Sequence, residues 1–528
     1  MNKFYILLLL LGVLSCKKEE IKKKAIPIPP APAIIIKPEG KALPVDSLLL
    51  IPFKSKTLQE FYKSSGYRTV WQSKKNRKII LKQLLESEKE GLNPDDYKAT
   101  KLQKYEQRIA LLNDEEIVNY DILLTRNLQK YMTHLTNGRL NPLTLYQDWD
   151  LKENKIDINE TIAGFFKSDS LENKIEQLKP NHIVYKKLKK ALKILNTFPK
   201  DTFTRIEIAN KIVQNDTNLA LISIKKRLIY WKDMQPKDSL SSIYDEKTME
   251  AVKNFQMRHG LSADGVIGKG TIQSLNFSKK ERKEQILANL ERWKWYPKDM
   301  KNEYVIINIP DYKLTLVKDK DTLRTHKVIV GRAKRKTPIL SSKLSSVVFN
   351  PTWTVPPTIL KEDVIPSIQK NRNYLAQTNI KVYDRNGNIV SADNWTVSNA
   401  RGYRYVQSPG TFNSLGMVKI LFPNRFSVYL HDTNHRDYFT KSMRSLSSGC
   451  VRVDNPLALT EYLLDDATLW NLEKITETLQ SEKTKQIRLK KEAYIHILYW
   501  TAWSEKNSLI FRDDIYNLDA DLYDKLGS

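Results

Sequence analysis

The hydrophobic pattern of this chain changes period near Tyr304, and that switch constrains the fold more than any other feature. From about Ser47 to Lys200 the sequence runs in long stretches rich in Leu, Lys and Glu, with few glycines. Over Glu116 to Leu135 apolar residues recur at helical spacing (Ile117, Leu124, Leu128, Tyr131, Leu135), and Gly138 reads as the stop. From Tyr304 the pattern turns to strands. Val305–Ile309 and Lys313–Val317 predict a hairpin about Pro310-Asp311, and Lys327–Gly331 follows. Asn350–Pro357 is held extended by its prolines. Residues 358–404 are more polar, helical or irregular, and read as an insertion or lid; Tyr494–Asp514 is strand-like again. The expected fold class is multidomain α+β, with a helical scaffold over 47–200, a compact helical unit over 219–276 and a β-rich domain over 300–528. A chain of 528 residues has room for several cores, since single cores stop growing near roughly 250–300 residues.

The first residues read as a targeting segment, 1–16. Lys3 precedes an apolar run, Phe4–Val13, too short for a comfortable transmembrane span. The run ends in Val13-Leu14-Ser15-Cys16 and resembles a bacterial lipoprotein signal, which implies lipidation of Cys16; the alternative is a secretory signal with an incidental cysteine. Both readings predict export, and the first predicts a lipid-anchored chain on the periplasmic side of the envelope. A charged and proline-rich linker follows over 17–46, with Pro27, Pro29, Pro30, Pro32, Pro38 and Pro44, a composition that favours an extended spacer. The net charge is +27, from 87 Lys and Arg against 60 Asp and Glu. Such a surface suits polyanions, yet the lysines are spread and no nucleic-acid motif accompanies them, so no nucleic-acid partner is expected.

Only two cysteines occur, Cys16 and Cys450, so Cys450 is expected to have no disulfide partner. A lone cysteine with a suitably placed histidine is a candidate nucleophile. Upstream, Phe426-Ser427-Val428-Tyr429-Leu430-His431 alternates; Phe426, Val428 and Leu430 want a core, while Ser427, Tyr429 and His431 share the opposite face. Cys450 follows nineteen residues after His431, in Ser447-Ser448-Gly449-Cys450-Val451-Arg452-Val453. As an extended segment this puts Arg452 on the side of the thiol. Asp454-Asn455-Pro456 predicts a helix start. The helix dipole, Arg452 and a protonated His431 would all favour the thiolate, and Gly449 would let backbone N–H groups approach an oxyanion. The seven histidines show no His-Glu-x-x-His spacing, so no metal or cofactor is expected.

Two resemblances sharpen this reading. Residues 219–276 carry Asp245, Thr248, Ala251, Val252, Phe255, Gln256, Gly260, Leu261, Asp264, Gly265, Gly268, Thr271 and Leu275 in an order that resembles the small three-helix peptidoglycan-binding domain. The His431 and Ser447-Ser448-Gly449-Cys450 pattern with Arg452 resembles the catalytic motif of the L,D-transpeptidases, with their YkuD-type domain, and most closely the large YcbB-like subgroup. Ser448 departs from the commoner histidine of that motif. Val330-Gly331-Arg332, Lys336-Thr337-Pro338, Asn350-Pro351-Thr352-Trp353 and Phe422-Pro423-Asn424 agree as well. The resemblance implies Cys450 as nucleophile and His431 as base, oriented by a backbone carbonyl, acting on peptidoglycan stem peptides and forming 3→3 cross-links through a thioester. It implies substrate or oxyanion contacts at Tyr429, Ser448 and Gly449, and an Arg452 that binds a stem carboxylate or braces the loop. Two alternatives remain: the same acyl-enzyme resolved by water, as a carboxypeptidase, or a non-catalytic lipoprotein that tethers the envelope to murein.

Overall fold

The computed structural model describes residues 41–168, 170–237 and 239–527. The signal expected at 1–16, Cys16 and most of the linker at 17–46 lie outside the described residues. Among those described, no helix is long and apolar enough to cross a membrane.

The first part of the chain is helical, as its periodicity predicts. Its longest helix, α1 (Asp114–Asn137), opens with a capping box: Asn113 Oδ1 accepts from the Glu116 N–H, and Glu116 Oε2 accepts from the Asn113 N–H. Leu124, Leu128, Tyr131 and Leu135 turn one face of α1 into a scaffold core. The next unit is three helices, Ala220–Tyr230, Glu246–Arg258 and Lys269–Leu275. Thr248 and Thr271 each stand third in their helix. Gln256 clamps the turn between them, donating to Val266 O and accepting from the Gly265 N–H, each at 2.9 Å.

Helix α2 (Lys279–Trp295) then runs through the middle of the molecule, and polar as well as apolar residues on it are buried. Each buried polar group needs a partner. Glu291 Oε1 accepts from the Leu140 N–H at 3.0 Å, Asn289 donates to Thr501 Oγ1 at 2.9 Å, and Arg292 pairs with Asp519 at 2.8 Å. This helix therefore joins the scaffold to the C-terminal segment through buried polar contacts.

The β-rich domain is built on a twelve-stranded sheet. The expected hairpin is present, Glu303–Asn308 pairing antiparallel with Lys313–Lys318. The centre of the sheet holds β1 (Asp321–Gly331), β2 (Val418–Leu421), β3 (Leu430–His431) and β4 (Val451–Val453), in the spatial order β1–β4–β3–β2. Strands β3 and β4 are parallel; β2–β3 and β4–β1 are antiparallel. One register line, Val347–Ile420–Leu430–Val451, is wholly buried. The next line, Val348–Lys419–His431–Arg452–Ile329, presents the other face of the sheet. Ordered strand at β3 is shorter than the alternation over 426–431 predicts. The reason is Asn424, whose Oδ1 accepts from the Phe426 and Val428 N–H groups and winds the chain into a turn, with Ser427 exposed at φ +56°.

Residues 353–407 form a small body on this domain. Its sheet has the order Trp353–Thr354, Arg404–Gln407, Ile380–Tyr383, and its core contains Val355, Ile368, Val382 and Trp395. Trp395 Nε1 donates to Tyr405 Oη at 2.6 Å.

The Arg292–Asp519 pair gives the first prediction. Arg292 is fully buried and Asp519 nearly so. Removing one partner strands a buried charge, at a cost of about 3–5 kcal/mol. Arg292→Met should therefore lower the melting temperature followed by circular dichroism, whereas Lys280→Ala, at an exposed position of the same helix, should leave it within about a degree.

Candidate active site

The parallel pairing of β3 with β4 assembles the site. His431 lies opposite Arg452, and the Val451 N–H donates to Tyr429 O at 3.1 Å. Residues two apart on a strand share a face, so Tyr429, His431, Cys450 and Arg452 make a two-by-two array on one side of the sheet. The Tyr429 and His431 rings stand edge to face, centroids 5.6 Å apart. Lys419, in register with His431 on β2, completes the group; its Nζ lies 3.8 Å from the Tyr429 ring centroid.

His431 is buried and held by the backbone. Its Nδ1 is 2.5 Å from Asp432 O. A carbonyl can only accept, so Nδ1 carries the proton and Nε2 keeps the lone pair a base requires. The Asp432 carboxylate points elsewhere, accepting from the Met417 N–H at 3.0 Å and from Arg436 at 2.8 Å. Burial, then the Arg452 charge, pull the imidazole down to about 3, with Lys419 adding to the effect. His431 is therefore neutral at physiological pH.

Cys450 is half-buried and unpaired. Burial pushes its thiol up; hydrogen bonds from Tyr429 and the charges of Lys419 and Arg452 oppose that without overcoming it. Arg452 favours the thiolate, as expected, but burial outweighs it, and the pair rests as thiol and neutral imidazole. The helix-dipole argument fails for a geometric reason. Helix α3 (Pro456–Leu464) begins only after β4 has intervened, and its N-cap, Asn455, is left-handed without a side-chain cap. Dipole effects fade within about one turn of the helix end, and Cys450 lies beyond that. The side-chain neighbour of the thiol in this resting state is the Tyr429 phenol, whose own ionisation is pushed up by burial and by Cys450.

The remaining predicted residues are placed as follows. Gly449 sits at φ +118°, a conformation only glycine adopts without strain. Its N–H is taken by Ser447 Oγ at 3.2 Å and its carbonyl by Thr337 Oγ1 at 2.8 Å. Gly449 thus supplies the bend before Cys450. Ser448 is exposed and its Oγ accepts from Arg335 Nη1 at 2.9 Å. Arg452 Nη1 reaches Thr433 Oγ1 at 3.4 Å, and its buried Nε has no partner.

Sequence reasoning missed three functional neighbours. Lys419 had a usable signal, a lone cation between Val418 and Ile420 in an apolar strand. Arg335 had none, standing among other cations at 332–336. Thr337 lay in a matching stretch but had no role until the fold showed it. Its Oγ1 also accepts from the Gly331 N–H at 2.8 Å, where a Cβ on Gly331 would lie 2.2 Å from Arg335 O. Thr337→Val leaves a buried N–H and a buried C=O unpaired, about 1–3 kcal/mol each, and frees the Gly449 carbonyl. Thr337→Val should lower the melting temperature relative to the wild type, and circular dichroism measures it.

Comparison with known proteins finds similarity to three families. Residues 56–192 match the family model described as a scaffold domain, 218–275 the one described as "Putative peptidoglycan binding domain", and 302–472 the one described as the L,D-transpeptidase catalytic domain. A relative from Haemophilus influenzae named "Putative L,D-transpeptidase" is 35% identical over 288 residues. That match covers 52% of this chain and 58% of the relative's own length. Solved L,D-transpeptidases from Xylanimonas cellulosilytica and Stackebrandtia nassauensis are 13% and 12% identical, covering 55% and 56% of this chain and 99% and 97% of theirs. Their TM-scores, 0.18 and 0.20, are too low to bear on the fold. Residues 302–472 are an L,D-transpeptidase catalytic domain of the YkuD family, carried in one chain with a peptidoglycan-binding domain and a scaffold domain.

Proposed function

We propose that this protein is a cysteine L,D-transpeptidase that forms 3→3 cross-links between peptidoglycan stems. The observation that carries the reading is the fixed tautomer of His431, whose Nδ1 is committed to Asp432 O and whose Nε2 is left as a base in the same array as Cys450. As substrate enters, Nε2 takes the Cys450 proton while sulfur attacks the carbonyl of the third, diaminoacyl residue of a tetrapeptide stem. The C–N bond to the terminal D-Ala breaks, and that amine leaves with the proton from His431. The side-chain amine of a neighbouring stem then attacks the thioester, His431 takes its proton, and the thiol is restored. Atoms balance as two stems in, one dimer and one D-Ala out. No hydrogen bond joins Cys450 to His431 in the resting geometry, and catalytic hydrogen bonds commonly tighten only with substrate bound. Anchoring through a lipid on Cys16, on the periplasmic side of the envelope, belongs to the same proposal and is supported by the Phe4–Cys16 sequence.

Purified protein incubated with tetrapeptide muropeptides should yield free D-Ala, 3→3 dimer and a stem mass on Cys450, with Cys450→Ala yielding none of them. Tripeptide without dimer would mean water is the acceptor. No D-Ala and no dimer, with the variant matching the wild type, would sink the catalytic reading in favour of a tether. Because His431 is neutral down to about pH 3, acylation should lose little between pH 7 and pH 5. An imidazole at its ordinary value of about 6.5 would instead lose most of its base form there. Initial rates across that range measure the difference.

A further inference from the structure

We propose that Lys419 is a positioning residue for this chemistry: its ammonium, laid on the Tyr429 ring, stabilises the negative charge that forms at Cys450. The inference rests on the reading of Cys450 as the nucleophile. It starts from register. Lys419, His431 and Arg452 stand side by side on three adjacent strands, so the imidazole has a cation on either flank. The neighbouring position on the same face holds Tyr429 against the Lys419 ammonium, 3.8 Å from ring centroid to Nζ. A cation that close to an aromatic face is attracted to it, and the contact fixes where the charge sits.

The charges facing this group can be named element by element. From β2 comes Lys419, from β4 Arg452, and from the segment leading into β3 the Tyr429 phenol. Two carbonyls, Asp432 O and Leu415 O, face His431. The nearby Asp432 carboxylate is engaged by the Met417 N–H and Arg436. Glu362 and Asp363, across the site on the inserted body, are engaged by Arg335. Among the described residues the one ionisable group that favours the charged form of Lys419 is Cys450. Arg452 has only Tyr438 and Cys450 in that role. Two part-buried cations thus flank the nucleophile with no carboxylate to neutralise them.

Such an arrangement is costly unless an anion arrives. A surface lysine would be free to find a carboxylate; Lys419 is part-buried on a strand paired on both sides, with Leu430–His431 and with Ser346–Phe349. The anion available at the site is the one the reaction makes. When the proton leaves Cys450 for His431 Nε2 and sulfur bonds to the carbonyl carbon, the displaced electron pair moves to the carbonyl oxygen. Lys419 stabilises the thiolate as it forms and disfavours the imidazolium that forms with it; direct reaction of the thiolate with an added electrophile reads the first effect alone.

Iodoacetamide alkylation of Cys450, followed by mass of its proteolytic peptide against pH, tests this on the full chain without any stem peptide. Lys419→Met should shift the half-maximal pH upward by about one unit, which is a tenfold slower reaction at neutral pH, and Lys419→Arg should restore most of it. Melting curves of both variants control for folding, and Lys419→Gln replaces Met where the first variant melts early. An unchanged alkylation profile, with any loss confined to KM for the stem peptide, would overturn the proposal and make Lys419 a ligand for a substrate carboxylate. Failure of Arg to restore the profile would overturn it too, assigning the loss to packing on Tyr429. Since alkylation needs no peptide transfer, the profile judges Lys419 even if muropeptides show the protein to be no transpeptidase.

Discussion

A parallel pairing of two short strands carries the site. Leu430 faces Val451 and His431 faces Arg452, and that is the whole of the ladder between β3 and β4. Parallel neighbours need a long crossover, usually a helix. Here the crossover has only the 3-10 turn Arg436–Thr440 and the short strand Ser445–Ser447. Its rigidity is borrowed from the flanks. Arg452 and Val453 are held by β1, Lys419 and Ile420 hold β3 from the other side, and Leu430 and Val451 are fully buried. A slip of one residue would turn His431 into that core and Leu430 out of it. The apolar line beneath therefore fixes the register, and the register fixes which side chains meet above.

What the array does with charge follows from burial. A thiolate–imidazolium pair places two ions where water is scarce, and desolvation penalises both. The thiol is pushed up and the imidazole pulled down, so the neutral pair is the resting form. Base strength is then set by position: Nδ1 is fixed on a carbonyl, and Nε2 has the lone pair. The flanking cations do not make a resting thiolate. They reduce the penalty for the charge that appears when a carbonyl is attacked, which is where stabilisation accelerates a reaction.

How much of this the sequence discloses depends on whether the signal is local. Helical spacing in residues 114–137, the hairpin about Pro310-Asp311 and the three helices near 219–276 are local patterns, and each was legible. Cys450 and His431 stand out because cysteines number two and histidines seven, and pairing of their segments puts them side by side. The alternation over 426–431 identified the shared face of Tyr429 and His431 but overstated the strand, because Asn424 captures the backbone ahead of it. The dipole argument misled because the length of β4 before Pro456 is a property of the sheet. Arg335 was hidden among 87 cations, and Lys419, though a lone cation in an apolar strand, gains its neighbours only from pairing with distant segments.

Arg335 shows how the inserted body at 353–407 is tied to the nucleophile loop. Its guanidinium is largely buried, bonded to Ser448 Oγ on one side and ion-paired with Glu362 and Asp363 on the other. Those two acids are substantially exposed, at 51% and 39%. Ion pairs with an exposed partner contribute little and are screened by salt, so this tie sets orientation more than it holds the body shut. The acids come from the π-helical turn Leu360–Val364, whose other side packs Val364 into the small core of the insertion. A movement of that core thus carries the acids with it, while Ser448 stays with the loop fixed by Thr337 and Ser447. Ser448, where the family motif more often has histidine, is in this chain the point at which the insertion and the catalytic loop meet. A bulkier side chain at Ser448 would occupy the space through which Arg335 now reaches the hydroxyl, so the small residue and the arginine bridge go together in this chain.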